Sequence, residues 1–220
     1  HGGVAKDALS SEDVAALRAG SVNLKAHVEN VRKFGVPAIV AVNRFASDSD
    51  AEVAALLEAC AEWRVAAVEA DPHSTTGTGC LDLADAVSDL LDSGEADFRP
   101  LYESDLGLRE KIETIATEIY GADGVDFVGQ ADSAIDRLES IGLRDVPVCI
   151  AKTQYSFSDN PALLGRPSGF RISVRDVTPS AGAGFVVAKT GDIMTMPGLA
   201  ARPAAAGMSI AEGGEIVGLA

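Results

Sequence analysis

The segment from Val36 to Val42 reads Val-Pro-Ala-Ile-Val-Ala-Val, a continuous apolar run that ends in a polar loop. Such a run is typical of a strand buried on both faces, as in a parallel sheet, because a half-exposed strand alternates apolar and polar residues. The loop that follows, Asn43 to Asp48, leads into a helix that Asp48-Ser49-Asp50 can cap. The pattern predicts the first half of a parallel α/β unit.

The alternation of strands and helices continues downstream. Arg64–Ala70 is a second short strand candidate, Asp71–Gly79 is a polar, Gly-rich loop, and Leu81–Leu91 has helical spacing. Two further helices, near residues 112–119 and 131–141, precede a strand at residues 147–151. This order predicts a Rossmann-like parallel sheet with flanking helices.

From Gly165 onward Gly, Pro and Ala are dense and helical spacing fades. Phe170–Val177 alternates apolar and polar residues, and Gly184–Ala188 is its expected neighbour. We therefore predict the class α/β, with a smaller β-rich C-terminal module after the Rossmann-like sheet. The predicted divisions are a helical segment at 1–35, a Rossmann-like domain at 36–151 and the β-rich module at 152–220.

The formal net charge of −15 narrows the classes of partner. Such an acidic surface repels nucleic acid and anionic membranes. No apolar run approaches the ~18–20 residues of a membrane span. Cys60, Cys80 and Cys149 lie far apart and form neither a disulfide framework nor a metal-ligand spacing. These features predict a cytoplasmic protein with reduced, mostly buried thiols, without a nucleic-acid or membrane partner.

Two loops follow the predicted parallel strands, where open α/β sheets bind ligands. Asn43 could supply hydrogen bonds and Phe45 a stacking surface for a flat heteroaromatic ring. The alternative, that Phe45 packs locally and Asn43 caps a turn, stays open. Thr76-Gly77-Thr78-Gly79 lacks a following Lys-Ser or Lys-Thr and is not a P-loop. His73 has no His or Cys partner at ligand spacing, so no metal site is predicted.

A third polar loop, Lys152-Thr153-Gln154-Tyr155-Ser156-Phe157-Ser158-Asp159, follows the strand at 147–151. A loop this dense in hydrogen-bonding groups is either an elaborate turn or part of a site. The residue types alone leave both interpretations open.

Several strings resemble the formate–tetrahydrofolate ligase family, in order along essentially the whole chain. They are His1–Lys6, Phe34–Asn43, Ala116–Gly124, Ala151–Asp159 and Gly191–Leu199. The resemblance implies the C-terminal part of an ATP-dependent ligase. In this family formate attacks the γ-phosphate of ATP, and tetrahydrofolate captures the formyl group of formyl phosphate to give 10-formyltetrahydrofolate.

The resemblance also implies substrates, site residues and assembly. Phe45 falls at the aromatic position that stacks on the folate ring, in a loop that begins at Asn43. His73 falls where some members carry a Trp on the opposite side of that ring. ATP with Mg is the co-substrate, and the P-loop and catalytic residues are expected upstream of His1. The isolated chain is therefore expected to be inactive; the family implies a homotetramer and a monovalent-cation dependence.

Two other functions fit the α/β alternation without the resemblance. One is a nicotinamide-dependent oxidoreductase domain, against which the missing Gly-x-Gly-x-x-Gly after a strand counts. The other is a folding or assembly module with no ligand site of its own. A folate titration separates them from the ligase interpretation.

Overall fold

A computed structural model of the chain describes residues 1–191, 193 and 202–218. Most of the family-like string at 191–199 and the end of the β-rich module predicted at 152–220 lie outside the described residues. Within the described part, no helix is long and apolar enough to cross a membrane.

The helices are α1 (Val14–Gly20), α2 (Val22–Lys33), α3 (Asp50–Glu62), α4 (Pro72–Thr75), α5 (Leu81–Ser93), α6 (Leu108–Thr114) and α7 (Ala131–Ser140). The strands are β1 (Ile39–Asn43), β2 (Ala66–Ala70), β3 (Val125–Phe127), β4 (Val148–Ala151), β5 (Ile172–Ser180), β6 (Phe185–Thr190), β7 (Ser209–Ile210) and β8 (Ile216–Val217). A π-helical turn, Ile115–Ile119, directly continues α6.

Strands β1 and β2 pair in parallel, with Ile39 opposite Ala66 and Asn43 opposite Ala70. This confirms the predicted parallel unit. The prediction that the first strand is buried on both faces is wrong, because Ala41 is exposed while Val42 is buried. Among the described residues, β1 and β2 form a sheet of two strands.

The larger sheet has the order β3-β5-β6-β4. Strand β3 is parallel to β5, β5 is antiparallel to β6, and β6 is parallel to β4. The antiparallel pair β7–β8 follows. The fold class is confirmed: a parallel-containing mixed sheet with flanking helices, followed by small antiparallel strands.

The division into domains stays a prediction. Its boundary at residue 152 lies in the connection between β4 and β5, two strands of one sheet.

The main hydrophobic core lies between the larger sheet and helices α6 and α7. Its fully buried aliphatic residues are Leu108, Ile112, Ile172, Val174, Val177 and Val186. A smaller cluster of Val28, Cys60 and Val65 lies beside the β1–β2 pair. Helix α2 reaches both, because Ala26 belongs to the main core and Val28 to the smaller one.

The cysteines differ from the prediction of mostly buried thiols. Cys60 is buried and Cys80 is half-buried, but Cys149 is exposed. Cys149 is an exposed position in β4, whose residues Val148, Ile150 and Ala151 are partly buried.

Candidate functional site

The carboxyl ends of β1 and β2 lie side by side and carry the two predicted ligand loops. Asn43 and Ala70 are register partners at the last step of the pair, and the Arg44 amide donates to the Ala70 carbonyl at 2.9 Å. Phe45 is therefore two residues past one strand end, and His73 is three residues past the other. The sheet brings together the loops that carry all three predicted folate-binding residues: Asn43, Phe45 and His73.

Hydrogen bonds within the first loop fix the backbone at Phe45. The Phe45 amide donates to Oδ2 of Asp48 at 2.8 Å, and the Asp48 amide donates back to the Phe45 carbonyl at 3.0 Å. The Phe45 side chain is nevertheless 56% exposed. The loop is thus held in shape while more than half of the aromatic surface faces outward.

The guanidinium of Arg44 is engaged by carboxylates rather than free for an anion. It donates to Glu69 at 2.9 Å and also pairs with Asp50. The hydrogen bond to Glu69 and then that to Asp50 raise the pKa of Arg44. Arg44 therefore ties the loop to β2 and to the start of α3.

Asn43 is exposed at the end of β1 and lines a cavity of about 360 Å³. Asp48 and the apolar side chains of Leu17, Leu24 and Leu56 also line this cavity. Asn43 thus brings an amide to a partly apolar hollow, whereas Phe45, two residues further along the same loop, is not among the residues that line it. An amide beside apolar side chains suits a flat ligand with a polar edge.

The second loop is closed by its own hydrogen bonds. The Asp71 carboxylate accepts from the Ser74 amide at 2.8 Å, and the Asp71 amide donates to the Gly79 carbonyl at 3.1 Å. A Cβ on Gly79 would lie 1.9 Å from Thr75 Oγ1, so the turn needs glycine there. His73 is exposed on the short helix α4. The imidazole of His73 is thus carried on a compact, hydrogen-bonded turn.

Two hydroxyls of this loop donate to its own backbone. Thr75 Oγ1 donates to the Asp71 carbonyl at 2.6 Å, and Thr78 Oγ1 donates to the Thr75 carbonyl at 2.7 Å. These two protons are therefore committed to the backbone.

The third polar loop contains an elaborate turn. Ser156 and Ser158 are buried, with their hydroxyl oxygens 2.9 Å apart, and the Ser158 hydroxyl donates to the Asn160 carbonyl at 3.0 Å. The Asp159 carboxylate accepts from the Ser173 amide of β5 at 2.9 Å. These contacts explain the serines and the aspartate as structural residues.

Lys152 also belongs to a cluster with His27, Tyr120 and Phe157 that the sequence patterns did not predict. The Lys152 ammonium lies 4.9 Å from the centre of the Tyr120 ring, and His27 packs on Phe157 with ring centres 4.8 Å apart. Partial burial, and then the charge of Lys152, lower the pKa of His27. Burial also lowers the pKa of Lys152 and raises that of Tyr120. The one sequence signal was that Tyr120 and Lys152 both lie in family-like strings.

A parallel strand pair and a larger mixed sheet, both flanked by helices, define this chain as a protein of the α/β class, with its two predicted ligand loops at neighbouring strand ends. Comparison with known families identifies the family. The sequence profile of the formate–tetrahydrofolate ligase family matches residues 1–220, so the chain belongs to that family.

A curated relative supports the same assignment. The formate–tetrahydrofolate ligase of Symbiobacterium thermophilum is 53% identical over 220 residues, which are 100% of this chain and 39% of that relative. The chain thus spans about two fifths of the length of the relative that it matches.

Proposed function

We propose that this chain forms part of an ATP-dependent ligase that makes 10-formyltetrahydrofolate from formate and tetrahydrofolate by way of formyl phosphate. The observation that carries the proposal is the exposed ring of Phe45, held on a fixed loop at the carboxyl edge of a parallel strand pair. Family membership along the whole chain supports the pterin of tetrahydrofolate as the ring that would stack there.

Each predicted folate-binding residue has a distinct role in this proposal. Phe45 offers a flat apolar face, and ring stacking favours a planar heterocycle. Asn43 offers an amide donor and acceptor to the polar edge of the pterin. His73, from the loop after the neighbouring strand, would contact the opposite face of the ring.

ATP, with Mg, would supply the activation: phosphorylation gives formate a good leaving group. In the loop at 71–79, the Thr75 and Thr78 hydroxyls donate their protons to the backbone. The 220 residues also contain no Gly-Lys-Ser or Gly-Lys-Thr. We therefore expect the chain alone to produce no ADP in a formate-dependent assay. Turnover at ordinary enzymatic rates, roughly 1–1000 per second, would contradict this.

The proposals on assembly and ion requirement rest on the family resemblance alone. On that basis we propose a cytoplasmic homo-oligomer, a tetramer in the full-length enzyme, with a monovalent-cation dependence.

The test of the folate site is a calorimetric titration of this chain with tetrahydrofolate. Phe45→Ala should weaken binding by about 1–3 kcal/mol, the range found for a base stacked on an aromatic side chain. Phe98→Ala is the matched control, because Phe98 is 68% exposed and stacks on Phe34 instead. Equal losses in both variants would contradict the assigned role of Phe45.

The same titration addresses the alternative functions. Binding of a nicotinamide dinucleotide without binding of folate would favour the oxidoreductase alternative. A folded chain that binds neither ligand would favour the folding or assembly module.

A further inference from the structure

A cavity of about 300 Å³ lies where the Lys152–Asp159 loop faces helix α2. The lining residues that matter here are His1, Asn23, His27, Tyr120, Lys152 and Tyr155. Asn43, Phe45 and His73 do not line it, so it is distinct from the proposed folate site. Its volume is at the lower end of the ~300–1,000 Å³ typical of small-molecule pockets.

Lys152 gives this cavity a fixed cationic group. Its ammonium donates to the carbonyls of Thr153, at 2.8 Å, and Ser156, which hold it in place. An ammonium has three protons, so two bonds to the backbone leave capacity for one more acceptor. The Tyr120 ring, 4.9 Å away, also stabilises the positive charge.

The charge around Lys152 favours an anionic ligand. Among the described residues that line the cavity, none is Asp or Glu, although the whole chain carries a net charge of −15. Asp159, from the same loop, raises the pKa of Lys152 against the larger effect of burial. Its Oδ2 already accepts from the Ser173 amide, and Asp159 does not line the cavity.

The other walls suit a flat molecule. The Tyr155 side chain is 59% exposed, and the His27 ring is held against Phe157. Asn23 lies on α2, and its side-chain amide nitrogen donates to the Gly165 carbonyl at 3.1 Å. This bond ties the chain at Gly165 to helix α2. Aromatic faces beside a cation are complementary to a ring that bears a negative group.

We infer that this cavity binds a small aromatic molecule that carries an oxyanion, with the oxyanion at Lys152 and the ring against Tyr155 and His27. A carboxylate and a phosphate share this chemistry. The inference uses no residue of the proposed folate site and is independent of ligase activity.

The first test needs no substitution. Benzoate, phenyl phosphate and the uncharged benzamide are titrated into this chain, with binding followed by saturation-transfer NMR and calorimetry. Benzoate or phenyl phosphate should bind about tenfold more tightly than benzamide, since a hydrogen bond to a charged group is stronger than one between neutral groups. The tighter of the two anions identifies the preferred group. Equal binding of all three compounds overturns the inference.

Substitutions then locate the site. Lys152→Met should remove the roughly tenfold preference for the anion over benzamide. Lys33→Met is the matched control, because Lys33 pairs with Glu118 at 3.3 Å beside a different cavity. Tyr155→Ala, at an exposed position, should weaken benzoate and benzamide together. A folded Lys152→Met protein that keeps the full preference contradicts the assignment, and so does loss of the preference in Lys33→Met.

Discussion

Lys111 shows how a charged residue can be placed in a hydrophobic core. Its side chain is fully buried, and Nζ donates to the carbonyls of Arg144 at 2.8 Å and Val146 at 3.3 Å. Burial lowers its pKa, an effect that the nearby carboxylate of Asp145 opposes most strongly. The apolar stem packs in the core while the ammonium reaches the backbone near the start of β4.

Two substitutions at Lys111 separate the contribution of the stem from that of the ammonium. Lys111→Ala should lower the free energy of unfolding by about 2–4 kcal/mol, because it empties a fully buried volume. Lys111→Met keeps most of that volume but loses the hydrogen bonds and the contact of the ammonium with the Tyr102 ring, so its cost should be about 1 kcal/mol. Urea unfolding followed by circular dichroism measures both. Equal costs would show that the hydrogen bonds, rather than the packing, hold this part of the core.

At the scale of elements, the start of α3 connects the Phe45 loop to the rest of the chain. Ser49 and Glu52 form a capping box: Ser49 Oγ accepts from the Glu52 amide at 3.2 Å, and Glu52 Oε2 accepts from the Ser49 amide at 3.5 Å. The other oxygen of Glu52 accepts from the Asp13 amide at 2.9 Å, just before α1. One carboxylate thus joins the starts of two helices.

Removing this cap should destabilise the chain measurably. Ser49→Ala is expected to cost about 1 kcal/mol of unfolding free energy, the usual effect of losing an N-cap hydroxyl. Ser88→Ala in α5 is the control, since the Ser88 hydroxyl only donates to the Ala84 carbonyl within the helix. That control should change stability by no more than about 0.5 kcal/mol. Similar losses from both serines would argue against a special role for the cap.

The elements that sequence predicted well are those with strong local signals. The cap at Asp48–Asp50 and the pairing of Gly184–Ala188 with the alternating strand are both confirmed. The segment predicted as helical at 1–35 contains two helices: Asp13 caps α1, and a break at Ser21 separates α1 from α2. Strand β3 was missed because its three residues have too short a pattern, and its pairing with β5 is a tertiary contact.

At the scale of the whole molecule, the two candidate sites differ in how much of each could be predicted from the sequence. Phe45 and His73 follow strand ends, and the parallel pairing rule alone predicts that their loops are neighbours. His27, Tyr120 and Lys152 come from α2, the end of the π-helical turn and the loop after β4. They meet only because those distant elements pack together, so no local pattern could group them.

The packing around His27 should also make global stability depend on pH. Although much of the side chain is accessible, partial burial against Phe157 and the charge of Lys152 lower its pKa below the ordinary value of 6.5. Between the folded-state pKa and 6.5 the unfolded chain therefore binds more protons than the folded chain. The contribution of neutral His27 to stability is present above that window and is lost as the pH falls through it.

His27→Gln should consequently show a smaller loss of unfolding free energy than the unaltered chain between about pH 7.5 and about pH 5.5. His73→Gln, which makes the same change of side chain on α4, is the control. Urea titrations at both pH values measure the difference, and an unchanged loss in His27→Gln would exclude His27 as its source.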